Sequence, residues 1–217
     1  MEYRKDLMTA VVITIILSLV VTGVTEEVRQ SMQFTWDINE GDQFVFKVSV
    51  HGYSRHDSIY LPLAQRLLNR TQILVTIVSL PDIPHFINGK LFSENIIEVI
   101  KTRTTYENGD LIPNALYYET NTLSSRSFIP IGSWGLLDSL YPNDLQQQDN
   151  VTIESYIAVQ LQNSFYLGYS SYSESQGMGW FSYISKETGI PQNVTLWAWN
   201  LGDVYEYSYN ITLALTT

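Results

Sequence analysis

The sequence predicts a mainly β protein: an N-terminal transmembrane or signal-anchor helix, then one antiparallel meander domain, half-barrel or sandwich, of about nine to eleven strands with one or two short helices. Three observations carry this expectation. Leu7 to Val24 contains no charge, apolar and polar residues alternate with period two at both ends of the remainder, and turn clusters recur at short intervals between them.

The apolar segment comes first. Its eighteen residues would span ~27 Å as a helix, close to the hydrocarbon thickness of a bilayer. Arg4 and Lys5 precede it and Glu26 and Glu27 follow, so the positive-inside bias puts residues 1–6 in the cytoplasm and the domain outside. Residues 7–24 are then an uncleaved anchor in the lipid bilayer. The competing reading is a signal peptide cut after the small residues near Gly23, which would release the domain from the cell. Ala10, Thr14, Ser18 and Thr22 recur every four residues, a stripe that would let two such helices pack closely. Hydroxyl bonding to the helix's own carbonyls explains the same residues and is the commoner behaviour. Residues 25–31 form a juxtamembrane tether, and residues 32–217 the extracellular β domain.

Within that domain, Met32, Phe34, Trp36 and Ile38 alternate with polar residues up to the turn Asn39-Glu40-Gly41-Asp42, and Phe44, Phe46, Val48 and Val50 alternate after it. This predicts a hairpin with one buried face. Further strands are expected over 72–80, 95–106, 116–121, 152–162, 180–186 and 194–200. In the last strand Tyr205, Tyr207, Tyr209, Ile211, Leu213 and Leu215 share one face, which turns Asn210 outward. Two helices are expected, one capped by Ser133 and running through Trp134 to Leu140 before Pro142, the other over Tyr60 to Leu68.

Composition narrows function mainly by exclusion. With no cysteine there is no disulfide, no thiolate nucleophile, no Cys-based zinc site and no lipobox anchor. The net charge of −10 argues against nucleic acid as a partner, since that affinity rests on Lys and Arg neutralising phosphates. No P-loop, G-x-G-x-x-G, H-E-x-x-H or G-x-S-x-G motif is present, and no catalytic residue, cofactor or metal is expected. Ile131-Gly132-Ser133-Trp134-Gly135 lacks the leading glycine of the nucleophile elbow and reads as a helix start. His51, His56 and Asp57 read as loop residues rather than metal ligands, and Asp37, Asn39 and Asp42 as turn chemistry rather than a calcium loop.

Four glycosylation sequons, at Asn69, Asn150, Asn193 and Asn210, all lie on the expected outer side of the membrane. The remaining clue is aromatic: 15 Tyr, 8 Phe and 5 Trp. Trp197 and Trp199 share one strand face, while Tyr166, Tyr169, Tyr172 and Tyr183 surround a Ser/Gly-rich stretch. Rings with an apolar body and a polar edge suit a glycan or an amphiphile, and ordinary cross-strand packing accounts for the same residues.

The segment FTWDINEGDQFVFKVSV, Phe34 to Val50, and the stretch Phe181 to Leu213 with its Ser-Lys-Glu-Thr-Gly-Ile-Pro turn resemble archaeal membrane-anchored surface proteins, including Asgard-type ones. The succession of strands with one or two helices also looks like the half-barrel of LolA and LppX lipoprotein carriers, in which a curved sheet and a helical lid hold acyl chains. Together these imply a non-enzymatic cell-surface module whose concave β face takes an amphiphile, a glycan or a surface protein. The alternative is a pilin-like filament subunit assembled through the N-terminal helix; a secreted hydrolase is a third option with no motif behind it.

Overall fold

A computed structural model of the chain describes residues 29–30, 34–54, 71–83, 86–87, 100–113, 120–121, 124–132, 134–140, 145–147, 153–202 and 206–216. The apolar segment 7–24 with Ala10, Thr14, Ser18 and Thr22, the tether, the sequons at Asn69 and Asn150, and the expected helix over 60–68 lie outside these residues. Among the described residues no helix is long and apolar enough to cross a membrane.

Nine strands make one sheet, every neighbouring pair antiparallel. From one edge to the other the order is β5 (Lys101–Tyr106), β3 (Gln72–Ser79), β2 (Gln43–Ser54), β11 (Glu206–Leu215), β10 (Pro191–Leu201), β9 (Gln176–Ser185), β8 (Ser164–Tyr172), β7 (Ile153–Gln160) and β6 (Leu145–Gln147). Strands β6 to β11 are a true meander. The expected single meander is broken once, because the last strand returns to pair with β2, Leu213 opposite Val48 and Ile211 opposite Val50. The two-residue strands β1 (Arg29–Gln30) and β4 (Phe86–Ile87) pair separately.

Strands β5 and β6 are consecutive in sequence but occupy opposite edges, so the chain between them crosses the width of the sheet. This crossover carries helical residues at 120–121 and 124–127 and the helix α1 (Trp134–Leu140). One face of the sheet packs beneath it. Phe46, Val48, Ile73, Val75, Ile77, Val194, Ile211 and Leu213 form one buried cluster with Phe128, whose ring centroid lies 5.3 Å from that of Phe44. Ala158, Phe165, Leu167 and Ile184 form a second with Ile129, Leu137 and Leu140, and Trp134 lies 5.6 Å from Phe165. Half-buried Trp36 and Trp180 pack against both clusters and join them into one core.

Hydrogen bonds tie the crossover down at two places. Thr102 Oγ1 donates to Asn121 Oδ1 at 2.9 Å, and Thr104 Oγ1 to the same oxygen at 3.3 Å. Thr35 and Ile131 exchange backbone bonds of 2.9 and 2.8 Å, and Ile129 N–H donates to Gly189 O at 3.1 Å. Gly189, at φ 70°, sits in the turn between β9 and β10, in the left-handed region that glycine occupies without strain.

Two expectations about elements are corrected here. Phe34 to Ile38 does not form a hairpin strand with β2; Thr35 makes an isolated bridge to Ile131, and β2 pairs with β3 and β11 instead. The alternation there reports burial, with Phe34 and Ile38 buried and Trp36 half-buried, but not the partner. The turn itself is as expected: Asn39 N–H donates to Asp42 Oδ2 at 2.7 Å and Gly41 has φ 93°. Secondly, the expected strand over 116–121 ends in helical residues 120–121, where Asn121 turns its amide toward the β5 threonines.

Candidate functional site

The site is built on the sheet face opposite the core. In antiparallel pairing, directly opposed residues share a face, so the register can be read as rows across β11, β10, β9 and β8. One row is Ser208, Trp199, Gly177 and Tyr172; the next is Asn210, Trp197, Gly179 and Ser170. Below them come Thr212, Thr195, Phe181 and Gly168, then Ala214, Asn193, Tyr183 and Tyr166. Ile157 and Val159, exposed on β7, extend the last two rows.

Glycines set the shape of this face. A Cβ on Gly177 would stand 2.6 to 2.9 Å from Trp199 ring atoms, and one on Gly179 2.7 Å from Trp197 Cζ2. Both indoles therefore lie down across the neighbouring strand in space that only glycine leaves open. Phe181 stands directly opposite Gly168, whose Cβ would come 3.2 Å from Phe181 Cβ. Tyr166 packs against Phe181 and Tyr183 with ring centroids 5.8 and 5.0 Å away. Burial, then the neighbouring Tyr183 hydroxyl, pushes the Tyr166 phenol up from its ordinary value. All these rings are half-buried, and Tyr172 is exposed at the margin.

Five of the six aromatic residues picked out in the sequence thus share this surface: Trp197, Trp199, Tyr166, Tyr172 and Tyr183. Tyr169 does not. It lies on the core-facing side, opposite Trp180 on β9 and Tyr156 on β7. There it donates its hydroxyl to Glu154 Oε1 at 2.8 Å and packs 4.8 Å from the Tyr156 ring. Burial first, and then the bond to the Glu154 carboxylate, push its phenol up to about 12. Odd and even positions of one strand face opposite ways except around an irregularity, and β8 turns its even members, Tyr166 and Tyr172, outward.

Of the sequons, Asn193 and Asn210 lie on the aromatic face, half-buried and exposed respectively. His51 is exposed on the same face, opposite Asn210; His56, Asp57 and Ser133 lie outside the described residues. Among the described residues no group of three potential metal ligands comes together.

The sequence reading missed β8, Phe181 and the glycines. A signal for them exists: Gly177-Met178-Gly179 and Trp197-Ala198-Trp199 have the same spacing and stand equidistant from Thr188 in the turn. Folding the chain back at that turn sets each tryptophan on a glycine.

Chemically the face offers flat π surfaces with hydroxyl and indole N–H groups at their edges. Comparison with known proteins adds no assignment: no family model, no curated protein and no solved structure matches this chain.

Proposed function

We propose that this protein is a non-enzymatic surface module, held at the outer side of a membrane by residues 7–24, which binds a glycan on the outer aromatic face of its sheet. The observation that carries the reading is the pair of indoles, Trp197 and Trp199, lying on the glycine floor of Gly177 and Gly179. A sugar ring presents a C–H face and a rim of hydroxyls. Half-exposed indoles and tyrosines offer a matching apolar plane with polar edges. In this reading the sheet is a half-barrel whose inner face the crossover fills beneath α1, so binding shifts from the inside, as in lipoprotein carriers, to the outside.

The test is a titration of the full chain in detergent or nanodiscs with soluble oligosaccharides of glucose, mannose and N-acetylglucosamine, followed by intrinsic tryptophan fluorescence. Binding that weakens at least tenfold, about 1.4 kcal/mol, in Trp197→Ala and in Trp199→Ala supports the reading. No response to any of these sugars, or one indifferent to both substitutions, sinks it.

Exposed Ile157 and Val159 beside the aromatic rows favour a second reading, an amphiphile whose acyl part lies against β7. Binding of short-chain lipids that weakens in Ile157→Ser, with sugars inert, would favour that reading.

A further inference from the structure

The sequons Asn193-Val194-Thr195 and Asn210-Ile211-Thr212 lie on adjacent antiparallel strands in a register that sets Thr195 directly opposite Thr212. Their hydroxyls hydrogen-bond to each other, Oγ1 to Oγ1 3.0 Å. Both asparagines consequently project from the aromatic face, but in different surroundings. Asn193 is half-buried between Tyr183 and Ala214. Asn210 is exposed, with Trp197 opposite it on β10 and His51 opposite it on β2.

Side chains directly opposed across a sheet have Cβ atoms about 4.5–5.5 Å apart. The Trp197 indole leans away from Asn210, over Gly179 on β9, so a sugar joined to Asn210 Nδ2 reaches it by lying across β10, a span of about 5 Å. We propose that Asn210 carries an N-linked glycan whose first sugars pack on Trp197, so that the aromatic face holds a sugar belonging to its own chain. The inference rests on the reading above insofar as both take this face to be sugar-binding, but its ligand is covalent. It makes glycosylation a regulator: the modified chain has the Trp197 end of the platform covered, the unmodified chain has it open.

The attachment step needs a polyprenyl-phosphate-linked oligosaccharide as donor. The Asn210 amide nitrogen bonds to the anomeric carbon, the bond from that carbon to phosphate oxygen breaks, the amide loses one proton, and the polyprenyl phosphate leaves. A sequon requires the hydroxyl two residues after the asparagine, and in the fold that hydroxyl is engaged by Thr195. Attachment before β10 pairs with β11 finds that hydroxyl unengaged.

The experiment uses the full chain expressed in a host that N-glycosylates exported proteins. Glycopeptide mass spectrometry reads occupancy, and Tm is measured for the parent, Asn210→Gln, Trp197→Thr and the double variant. We expect Asn210 to be occupied, Asn210→Gln to lower Tm by about 2–4 °C, a shift a small stabilising contact gives at this chain length, and the shift to fall by more than half when Trp197 is already replaced. Because Trp197→Thr risks unfolding the sheet, a second readout needs no substitution: trimming the glycan enzymatically from folded protein should raise acrylamide quenching of tryptophan fluorescence, by the share that Trp197 contributes among the five tryptophans. An unmodified Asn210, equal Tm shifts in both tryptophan backgrounds, or quenching unchanged by trimming overturns the proposal. Oligosaccharide titration of the Asn210→Gln chain separates the two readings. No binding there, with the Tm coupling intact, defeats the function proposed above and leaves this inference standing; binding without coupling does the reverse.

Discussion

Trp199 lies across Gly177 so closely that its Nε1 is 2.6 Å from the position a Cβ would take, and all three of the nearest atoms belong to the indole ring. Beside it, a Cβ on Gly179 would meet the backbone oxygen of Tyr169 at 2.5 Å as well as the Trp197 ring. The two glycines look equivalent in sequence and differ in what can yield.

Gly177→Ala is therefore expected to tilt the Trp199 ring and leave the strands in place. Its cost should be at the low end of the 1–3 kcal/mol typical of overpacking, with a clear change in tryptophan fluorescence. Gly179→Ala has to move the β8 backbone too, and should cost more, about 2–3 kcal/mol. Urea unfolding of both variants checks the order; equal costs would mean that the ring and the backbone are equally free to move.

The crossover is held chiefly by burial. Phe128 is fully buried among the sheet residues, next to Phe44, and Leu137 is fully buried on the α1 side. Phe128→Ala should lose about 3–5 kcal/mol and Leu137→Ala about 2–5 kcal/mol. Either loss is a large share of the stability of a single domain. Denaturant midpoints read it, and losses below ~1 kcal/mol for both would show that the crossover does not form part of the core.

Alkaline pH should act through Tyr169. Its phenol is raised from 10 to about 12, by burial first and the bond to Glu154 second. Between those values the unfolded chain gives up this proton and the folded chain keeps it. The stabilisation is therefore complete below pH 10 and is lost as pH rises toward about 12. Tyr166, raised in the same direction by burial and by Tyr183, adds to the effect. Tyr169→Phe should flatten the fall of Tm across this window while leaving a residual slope from Tyr166. An unchanged slope would remove Tyr169 as its source.

How much of this was visible in the chain depends on what an alternating pattern encodes. The run Tyr207, Tyr209, Ile211, Leu213 and Leu215 does share one face, as its period requires. The run Phe34, Trp36, Ile38 has the same period and the same burial, yet forms no hairpin, because period two specifies which way side chains point and leaves the partner open. The return of β11 to β2 is a pairing between chain ends, for which no local turn residue provides a signal. Strand β8 was missed since its serines and glycine, Ser164, Gly168, Ser170 and Ser171, weaken strand propensity. Trp197 and Trp199 were legible as a pair on one face, whereas Tyr169 was assigned by proximity in sequence to Tyr166 and Tyr172, and an odd position among even ones points the other way.

The contact between Thr195 and Thr212 offers a measurement independent of any glycan. Made in a host that does not glycosylate, the chain keeps only the hydroxyl pair, 3.0 Å apart with Thr195 buried. Thr195→Val and Thr212→Val each remove one partner and leave the other hydroxyl short of a bond, so each should cost about 1–2 kcal/mol. In the double variant two methyl groups meet in place of two hydroxyls, and no polar group is stranded. Its cost should fall below the sum of the single costs by about 0.5–1.5 kcal/mol. Strict additivity in urea unfolding would mean that the two hydroxyls do not depend on one another.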